Sequence, residues 1–434
     1  MKEALKLGVA RRIITPKIGC NLSGYAPDVY AESLNDDLTA TAYYFSQGDT
    51  TAMIVSVTVV SIRTALVDEM RERIEELTGV PRDNCMIHAI HNHSGPITNG
   101  GFGWGDIDRE YCDTILVPRV LEAAKEAVEK AEPVKMKISV GESYVGINRR
   151  EITEENKVIL GQNPWGSFDP KMTVISFCDE SNAPVANLVH YGCHGTASGK
   201  NHEISRDWAG VMIDMLEENS GAMTAYLNGP EGDIGPRLAN GKTVGKQHVR
   251  YAMQLGGVAG GDAVRIYKQA GGYADADLQV SARTISIPLD KRIPKEVAET
   301  EYETFKSFTV NLKARKGRFY KRVLDSYLEN YREVEAVEIK QTVIRIGDLA
   351  IVSFPYELFS EIGMRIAKSS PFPYTLTLSN TNGSEGYFVT EDQICRGGYE
   401  VDMFLTKYVQ PYRPNVDHFA IKQTLEHLRL MKGE

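Results

Sequence analysis

The chain interleaves short β-rich apolar runs with stretches in which apolar residues recur at helical spacing. Residues 39–45 and 52–60 are two β-rich runs separated by Ser46-Gln47-Gly48-Asp49-Thr50, which predicts a hairpin with a short polar loop. Leu66, Val67, Met70, Ile74 and Leu77 follow at helical spacing, and Gly79 with Pro81 ends that run before a strand over 85–91. The same pattern predicts a helix over 120–131 stopped by Pro133, then strands over 135–140, 172–177 and 185–190. A helix over 207–218 comes next, capped by Ser205 or Asp207. Strands return over 342–346 and 349–354 around Gly347-Asp348, and an amphipathic helix runs over 418–431. Strand and helix mix throughout, so the expected class is α/β, with mixed β-sheets flanked by helices.

Between 295 and 336 the texture changes. Phe305, Phe308 and Leu312, then Phe319, Tyr320, Val323, Leu324, Tyr327, Leu328 and Tyr331, mark one apolar face of a charged helix pair broken near Gly317. That spacing reads as core packing. No internal repeat or Pro/Ser linker interrupts the chain, so residues 1–434 are expected to form one domain with a helical excursion at about 295–336.

Composition narrows the function classes. The 434 residues are 42% hydrophobic and 25% charged, the profile of a globular protein. A net charge of -9 with no lysine- or arginine-rich run excludes a general nucleic-acid binder. Lys2, Glu3, Lys6, Arg11 and Arg12 break any signal-like or membrane-spanning run at the amino terminus, and no transmembrane segment is expected. Six cysteines lie scattered without a CxxC pair, which suits thiols in a reducing compartment, so the cytoplasm is the expected location. A homo-oligomer is compatible with all of this.

Chemistry concentrates where apolar runs end. Met86 to Ile90 leads into His91-Asn92-His93-Ser94-Gly95-Pro96, and strand alternation places His91 and His93 on one face. Paired imidazoles at a strand's end suit a divalent metal, but an HxH alone leaves metal binding and a hydrogen-bonded structural pair both open. A second apolar run, 188–191, ends in Gly192-Cys193-His194-Gly195, where His194 has the small neighbours of a ligand and His190 reads as a core histidine. The turn Asn228-Gly229-Pro230-Glu231-Gly232-Asp233-Ile234-Gly235-Pro236 has glycines that allow close approach to a substrate, which makes Asn228, Asp233 and Gly235 candidate contacts. Glu357, after Phe354-Pro355-Tyr356, would complete a set of two histidines and a carboxylate. His418 and His427, nine apart, read as surface or packing residues.

Together these blocks resemble the neutral, non-lysosomal ceramidase family in its catalytic domain. The blocks are Gly8-Val9-Ala10 through Ile14-Thr15-Pro16 with Gly24-Tyr25, the His91 to Pro96 element, and Ile147-Asn148-Arg149. They continue with His194-Gly195-Thr196, Ser205 to Gly210, Asn228 to Pro236, Pro355-Tyr356-Glu357, and Asn382 to Thr390 with Gly398-Tyr399-Glu400. The resemblance implies a zinc hydrolase of linear N-acyl amides, with one zinc per chain held by His91, His194, Glu357 and Tyr387 and attack by metal-bound water. His93, Arg149 and Tyr399 match the family's positions around the scissile amide: His93 moves protons, and Arg149 or Tyr399 stabilises the oxyanion. Tyr387 ligates as a phenolate because a dication favours that form.

Two departures from the family shape the substrate expectation. The family's Gly-Asp-Val-Ser-Pro reads Gly232-Asp233-Ile234-Gly235-Pro236 here, so Gly235 stands where a serine belongs. No carboxy-terminal immunoglobulin-like sandwich or secretion signal is expected either. A small N-acyl compound is therefore favoured over ceramide, and Phe102 and Trp104 of the glycine-rich loop 97–105 either cover an apolar group or pack locally in a surface loop. Arg206, Arg237 and Lys242 read first as solvated loop charges and second as candidates to receive a substrate carboxylate. The competing readings are a zinc hydrolase or lyase of an ester or lactone, and an idle zinc protein that binds an acylated ligand.

Overall fold

In the computed structural model, residues 3–101, 104–246, 249–309 and 311–434 are described; Phe102 and Gly103 of the glycine-rich loop lie outside them. Three β-sheets share one apolar interior, and each carries helices on its other face. The first sheet has five strands, with Cys85–Ala89 at one edge, then Thr50–Val57, Thr39–Gln47, Lys6–Ile13 and the short Glu132–Pro133. Its strands alternate cleanly. Tyr43, Phe45, Ala52, Ile54 and Met86 point into the shared interior, whereas Ala40, Ala42, Met53, Val55 and Ile87 face Thr64–Thr78 and Val117–Glu129, whose apolar stripes include Leu66, Val67, Met70, Val120 and Ala124.

The second sheet orders Met223–Asn228, Pro184–Tyr191, Lys171–Cys178 and Lys135–Glu142. Ile175, Phe177, Ala186 and Leu188 meet the shared interior, and Val174, Val189 and Tyr191 pack on the helices Asp207–Ser220 and Arg250–Tyr267. The third sheet orders Leu278–Pro288, Ala336–Ile346, Leu349–Ser353 and Tyr374–Leu378. It gives Ile344, Ile346, Leu349, Ile351 and Leu378 to the interior. The other face meets Ser360–Ser369 and Val416–Lys432. His427, on the last helix, is a packing residue between Gln341 Oε1 and Ser281 Oγ.

The buried His88 ties these layers at the end where the site lies. It accepts from Asn228 N at 2.8 Å on Nε2, and its Nδ1 lies 3.0 Å from the Ser379 carbonyl and 2.9 Å from Thr381 Oγ1. One imidazole thus links strands of the first two sheets to the segment that leaves the third at Leu378.

Two expectations are corrected. The strand predicted over 85–91 ends at Ala89, so alternation does not govern His91 and His93; His91 instead adopts φ +67°, a left-handed conformation that bulky residues rarely hold. The helical excursion breaks after Phe305, not at Gly317, because the helices are Lys295–Phe305 and Asn311–Leu328. Gly317 sits inside the second, where a Cβ would come within 2.9 Å of the Phe305 carbonyl oxygen, so glycine lets the two helices approach. Phe319 and Val323 form that hairpin's small core, and Leu328 stays exposed.

Candidate metal centre

The site forms where two loops, each following a strand, run side by side. Asn92 and Gly195 form a parallel bridge, His93 N donates to the Gly195 carbonyl at 3.0 Å, and Gly195 N donates to the His91 carbonyl at 3.2 Å. A Cβ on Gly195 would lie 2.6 Å from Asn92 Cα, so a side chain there would push the two loops apart. The Asn228 side chain clamps the same pair: its Nδ2 donates to the Ile90 carbonyl at 2.9 Å and its Oδ1 accepts from Cys193 N at 3.1 Å.

Each histidine is oriented through its outer nitrogen. His91 Nδ1 faces the Val60 carbonyl at 2.8 Å, His194 Nδ1 faces the carbonyls of Glu231 and Ile234 at 2.8 and 3.0 Å, and His93 Nδ1 faces the Gly24 carbonyl at 3.3 Å. A carbonyl only accepts, so each Nδ1 carries the proton and each Nε2 presents a lone pair. Those lone pairs converge. His91 Nε2 is 3.2 Å from His93 Nε2, and Glu357 Oε2 lies 3.4 Å from His91 Nε2 and 3.3 Å from His194 Nε2. Burial pushes all three imidazoles down, His93 to about 4, so the neutral form prevails at pH 7. His194 Nε2 and Glu357 Oε2 are buried without a hydrogen-bond partner. Four acceptors facing one another with no proton to share are what a divalent cation would satisfy, and nitrogen with carboxylate oxygen is a donor set that suits zinc.

Glu357 and Tyr387 come from neighbouring chain segments. Glu357–Leu358 pairs in parallel with Tyr387–Phe388, in register Glu357 to Tyr387. Arg149 stands behind the phenol, donating from Nη2 to Tyr387 Oη at 2.9 Å and from Nε to Glu400 Oε1 at 2.8 Å. Arg150 holds the other Glu400 oxygen at 2.7 Å, so one fully buried carboxylate serves two arginines. Burial holds the Tyr387 phenol well above its usual range, although Arg149 opposes this. Tyr399 packs on Tyr387 with ring centroids 5.6 Å apart.

These residues open on a cleft of about 250 Å³ lined by His91, His93, Glu357, Tyr387, Tyr399 and Trp104. Its rim adds Asn99, Arg315, Met403 and Lys407. Gly24 belongs to the site by necessity. It holds φ +114°, and a Cβ there would overlap the His93 imidazole.

The structure thus assembles His91, His93, His194, Arg149, Glu357, Tyr387, Tyr399 and Trp104, but places Asn228, Asp233 and Gly235 away from the cleft. The Asn228 side chain is consumed by the loops it clamps. The Asp233 carboxylate accepts from Ser360 N at 2.7 Å and from Asn148 Nδ2 at 3.0 Å, and it borders a separate polar cavity. Gly235 pairs with Ile147, and a Cβ would meet Thr243 Cβ at 2.5 Å, so Thr243 already fills the space a serine would take. Arg206 is spent on Asp36 and Asp214, and Arg237 and Lys242 are exposed away from the cleft.

Two carboxylates went unassigned at the sequence level. Glu231 is buried within reach of His91 and Glu357, with Oε1 accepting from Asn380 Nδ2 at 2.7 Å and Oε2 unpartnered. Burial and the nearby Glu357 push it well above the usual carboxylate range. Glu400 is the second. Both stand inside blocks of sequence already singled out, flanked by glycine or tyrosine, but nothing in spacing separates a buried carboxylate from a solvated loop charge.

A family model described as neutral/alkaline non-lysosomal ceramidase, N-terminal, matches residues 5–247, more than half of the chain. The chain belongs to this family. Among curated relatives it is 27% identical over 257 residues to neutral ceramidase A of Dictyostelium discoideum, a match covering 52% of this chain and 34% of that protein. It is 23% identical over 223 residues to the neutral ceramidase of Oryza sativa subsp. japonica, covering 48% of this chain and 28% of that protein. The matched stretch is thus about a third of those relatives' length. The crystal structure of neutral ceramidase from Pseudomonas aeruginosa superposes with a TM-score of 0.75 at 17% identity, covering 98% of this chain and 74% of the other. A ceramidase complexed with C2 gives 0.74 at 16%, covering 98% and 75%. The family fold therefore extends past residue 247, through the segments that bring Glu357, Tyr387 and Glu400 to the cleft. Among the described residues no helix is long and apolar enough to cross a membrane.

Proposed function

We propose that this family member is a zinc-dependent hydrolase that cleaves a linear N-acyl amide, with a substrate smaller than ceramide. The observation that carries the reading is the convergence of three imidazole lone pairs and one carboxylate, each imidazole fixed by a backbone carbonyl behind it. His91, His194, Glu357 and Tyr387 would hold the ion. A divalent ion in that position supplies Lewis acidity to the amide carbonyl and lowers the pKa of water towards neutrality.

The chain's own residues do the rest. His93, neutral and with Nε2 turned into the cleft, takes the proton released as water adds to the carbonyl carbon, and returns it to the departing amine nitrogen as the C–N bond breaks. Tyr399, whose phenol burial keeps protonated, donates to the carbonyl oxygen as negative charge develops there. Arg149 fixes Tyr387 and adds positive field that Glu400 keeps in place. A cleft of about 250 Å³ falls just below the usual range for ligand pockets, about 300–1,000 Å³, which supports a small substrate.

The test is metal content on protein purified without added metal, with hydrolysis of N-acyl amino acids, short-chain ceramides, esters and lactones, and His91→Ala as the blank. About one zinc per chain, with amide turnover that falls to background in His91→Ala or after chelation, is the expected result. Turnover of esters or lactones alone would shift the reaction class, and absence of both metal and turnover after zinc is restored would sink the proposal.

A further inference from the structure

Arg315 gives the cleft a positive charge that no described acid neutralises. It projects from the helix Asn311–Leu328, so the helical excursion delivers it to the cleft wall beside Tyr399. Its Nε donates to Thr406 Oγ1 at 3.1 Å, and among the described residues no carboxylate pairs with it. Of the neighbouring cations, Lys407, Lys316, Arg149 and Arg150 are answered by carboxylates, and Arg322 is not. Lys407 pairs with Glu385 at 2.9 Å, Lys316 with Asp402 at 2.8 Å, and Arg149 and Arg150 share Glu400. Arg322, which donates to the Thr406 carbonyl at 3.1 Å, adds positive field near Arg315.

A partly buried guanidinium without a counter-ion is costly, and an anion that arrives with a ligand relieves that cost. The planar fork of arginine matches a carboxylate in two parallel hydrogen bonds. Tyr399, Glu357, His91 and His93 line the same cleft as Arg315, so the cation and the metal corner face one space. We infer that the substrate is an anionic amide, an N-acyl amino acid in its simplest form, whose carboxylate is received by Arg315 while its amide lies against His91, His93 and Glu357. This rests on the amide-hydrolase reading and names its substrate class. It also replaces Arg206, Arg237 and Lys242, which lie elsewhere, with a cation that sequence spacing does not connect to the site.

The test compares molecules that differ in one group. Full-length protein as purified, with Arg315→Gln and Arg315→Lys, is assayed on N-butyrylglycine and N-butyrylleucine against their carboxamides. Binding is measured calorimetrically with N-methylsulfonylglycine and its carboxamide, in which a sulfonamide replaces the N-acyl amide. A charged hydrogen-bonded pair predicts a carboxylate preference of about 10- to 100-fold in kcat/KM and in affinity. The preference should collapse to about 2-fold or less in Arg315→Gln and fall between in Arg315→Lys, which keeps the charge and loses the fork. Thermal melts establish that each variant is folded; if the glutamine variant is not, the lysine variant decides.

A wild-type ratio near one, or a ratio that survives in Arg315→Gln, overturns the inference. An equal preference for an N-acyl aminomethylphosphonate would overturn the carboxylate assignment. The two readings fail separately. Carboxylate-dependent binding that requires Arg315, without turnover of any amide, leaves the carboxylate site at Arg315 standing and removes the hydrolase reading. Amide turnover indifferent to the carboxylate does the reverse.

Discussion

The floor and the rim of the cleft are built in opposite ways. On the floor each candidate group is held from behind: His91, His93 and His194 by backbone carbonyls, Tyr387 by Arg149, and Arg149 by Glu400. At the rim Arg315 keeps one hydrogen bond through Nε, and Trp104 belongs to the glycine-rich loop. Preorganised groups of the first kind suit transition-state stabilisation, because little reorganisation remains at the moment of reaction. Groups of the second kind can change without unseating the chemistry. The difference predicts that floor substitutions lose stability or turnover outright, whereas rim substitutions redistribute substrates.

Glu400→Gln should break the floor hardest. The carboxylate is fully buried between Arg149 and Arg150, and its neutralisation leaves two buried guanidinium groups sharing an amide. Breaking a buried ion pair costs about 3–5 kcal/mol, to be read as a lower denaturant midpoint, with Tyr387 less well positioned and turnover reduced. A loss below about 1 kcal/mol, the range of exposed pairs, would show that this support is not specially rigid.

Gly24→Ala addresses the boundary between floor and rim. The added methyl falls on the His93 imidazole and the residue must hold φ +114°, so His93 has to move. A displacement of about 1 Å in a reacting group costs on the order of 100-fold in rate. Metal content should stay near that of the wild type, since His91, His194 and Glu357 keep their supports. Loss of metal together with activity would instead make His93 a ligand, a role its Nε2, 3.2 Å from that of His91, is placed to take.

How much of this could be read in the sequence follows from what local pattern encodes. Strand and helix alternation registers whenever one face of an element is buried, and the hairpin of Thr39–Gln47 and Thr50–Val57 and the helix Thr64–Thr78 ending at Gly79 appear close to where spacing puts them. His91, His194 and Glu357 stand out at the ends of apolar runs, whereas Tyr387 enters only through the family resemblance. The alternation argument for His91 and His93 fails because the chain leaves the strand at Ala89, and carbonyls of distant segments, Val60 and Gly24, do the aiming. Asn228 and Asp233 illustrate the converse: a motif marks them, but only tertiary hydrogen bonds show that they clamp loops. Arg315 carries no local mark, because the helix that holds it reaches the cleft by long-range packing.

The floor's supports also make it sensitive to acid in a way the rim is not. His88, which links the first two sheets to the segment after Leu378, is driven by burial to about 3 from an ordinary value near 6.5. Between those values the unfolded chain binds a proton at this position that the folded chain refuses, so stability from His88 is complete above about 6.5 and is lost as pH falls toward 3. The slope for one such group is about 1.4 kcal/mol per pH unit. Urea unfolding of the wild type and His88→Gln at pH 7, 6 and 5 should therefore give a shallower loss in the variant, whatever its stability at pH 7. Parallel lines would mean that His88 is protonated in the fold and that other groups carry the acid sensitivity. Arg315 and a substrate carboxylate both keep their charge over that range, so the preference for carboxylate over carboxamide should stay level while the floor weakens. A preference that rose as pH fell would place the carboxylate's partner among the floor's histidines, neutral at pH 7 and charged by acid, and erase the distinction between the two regions.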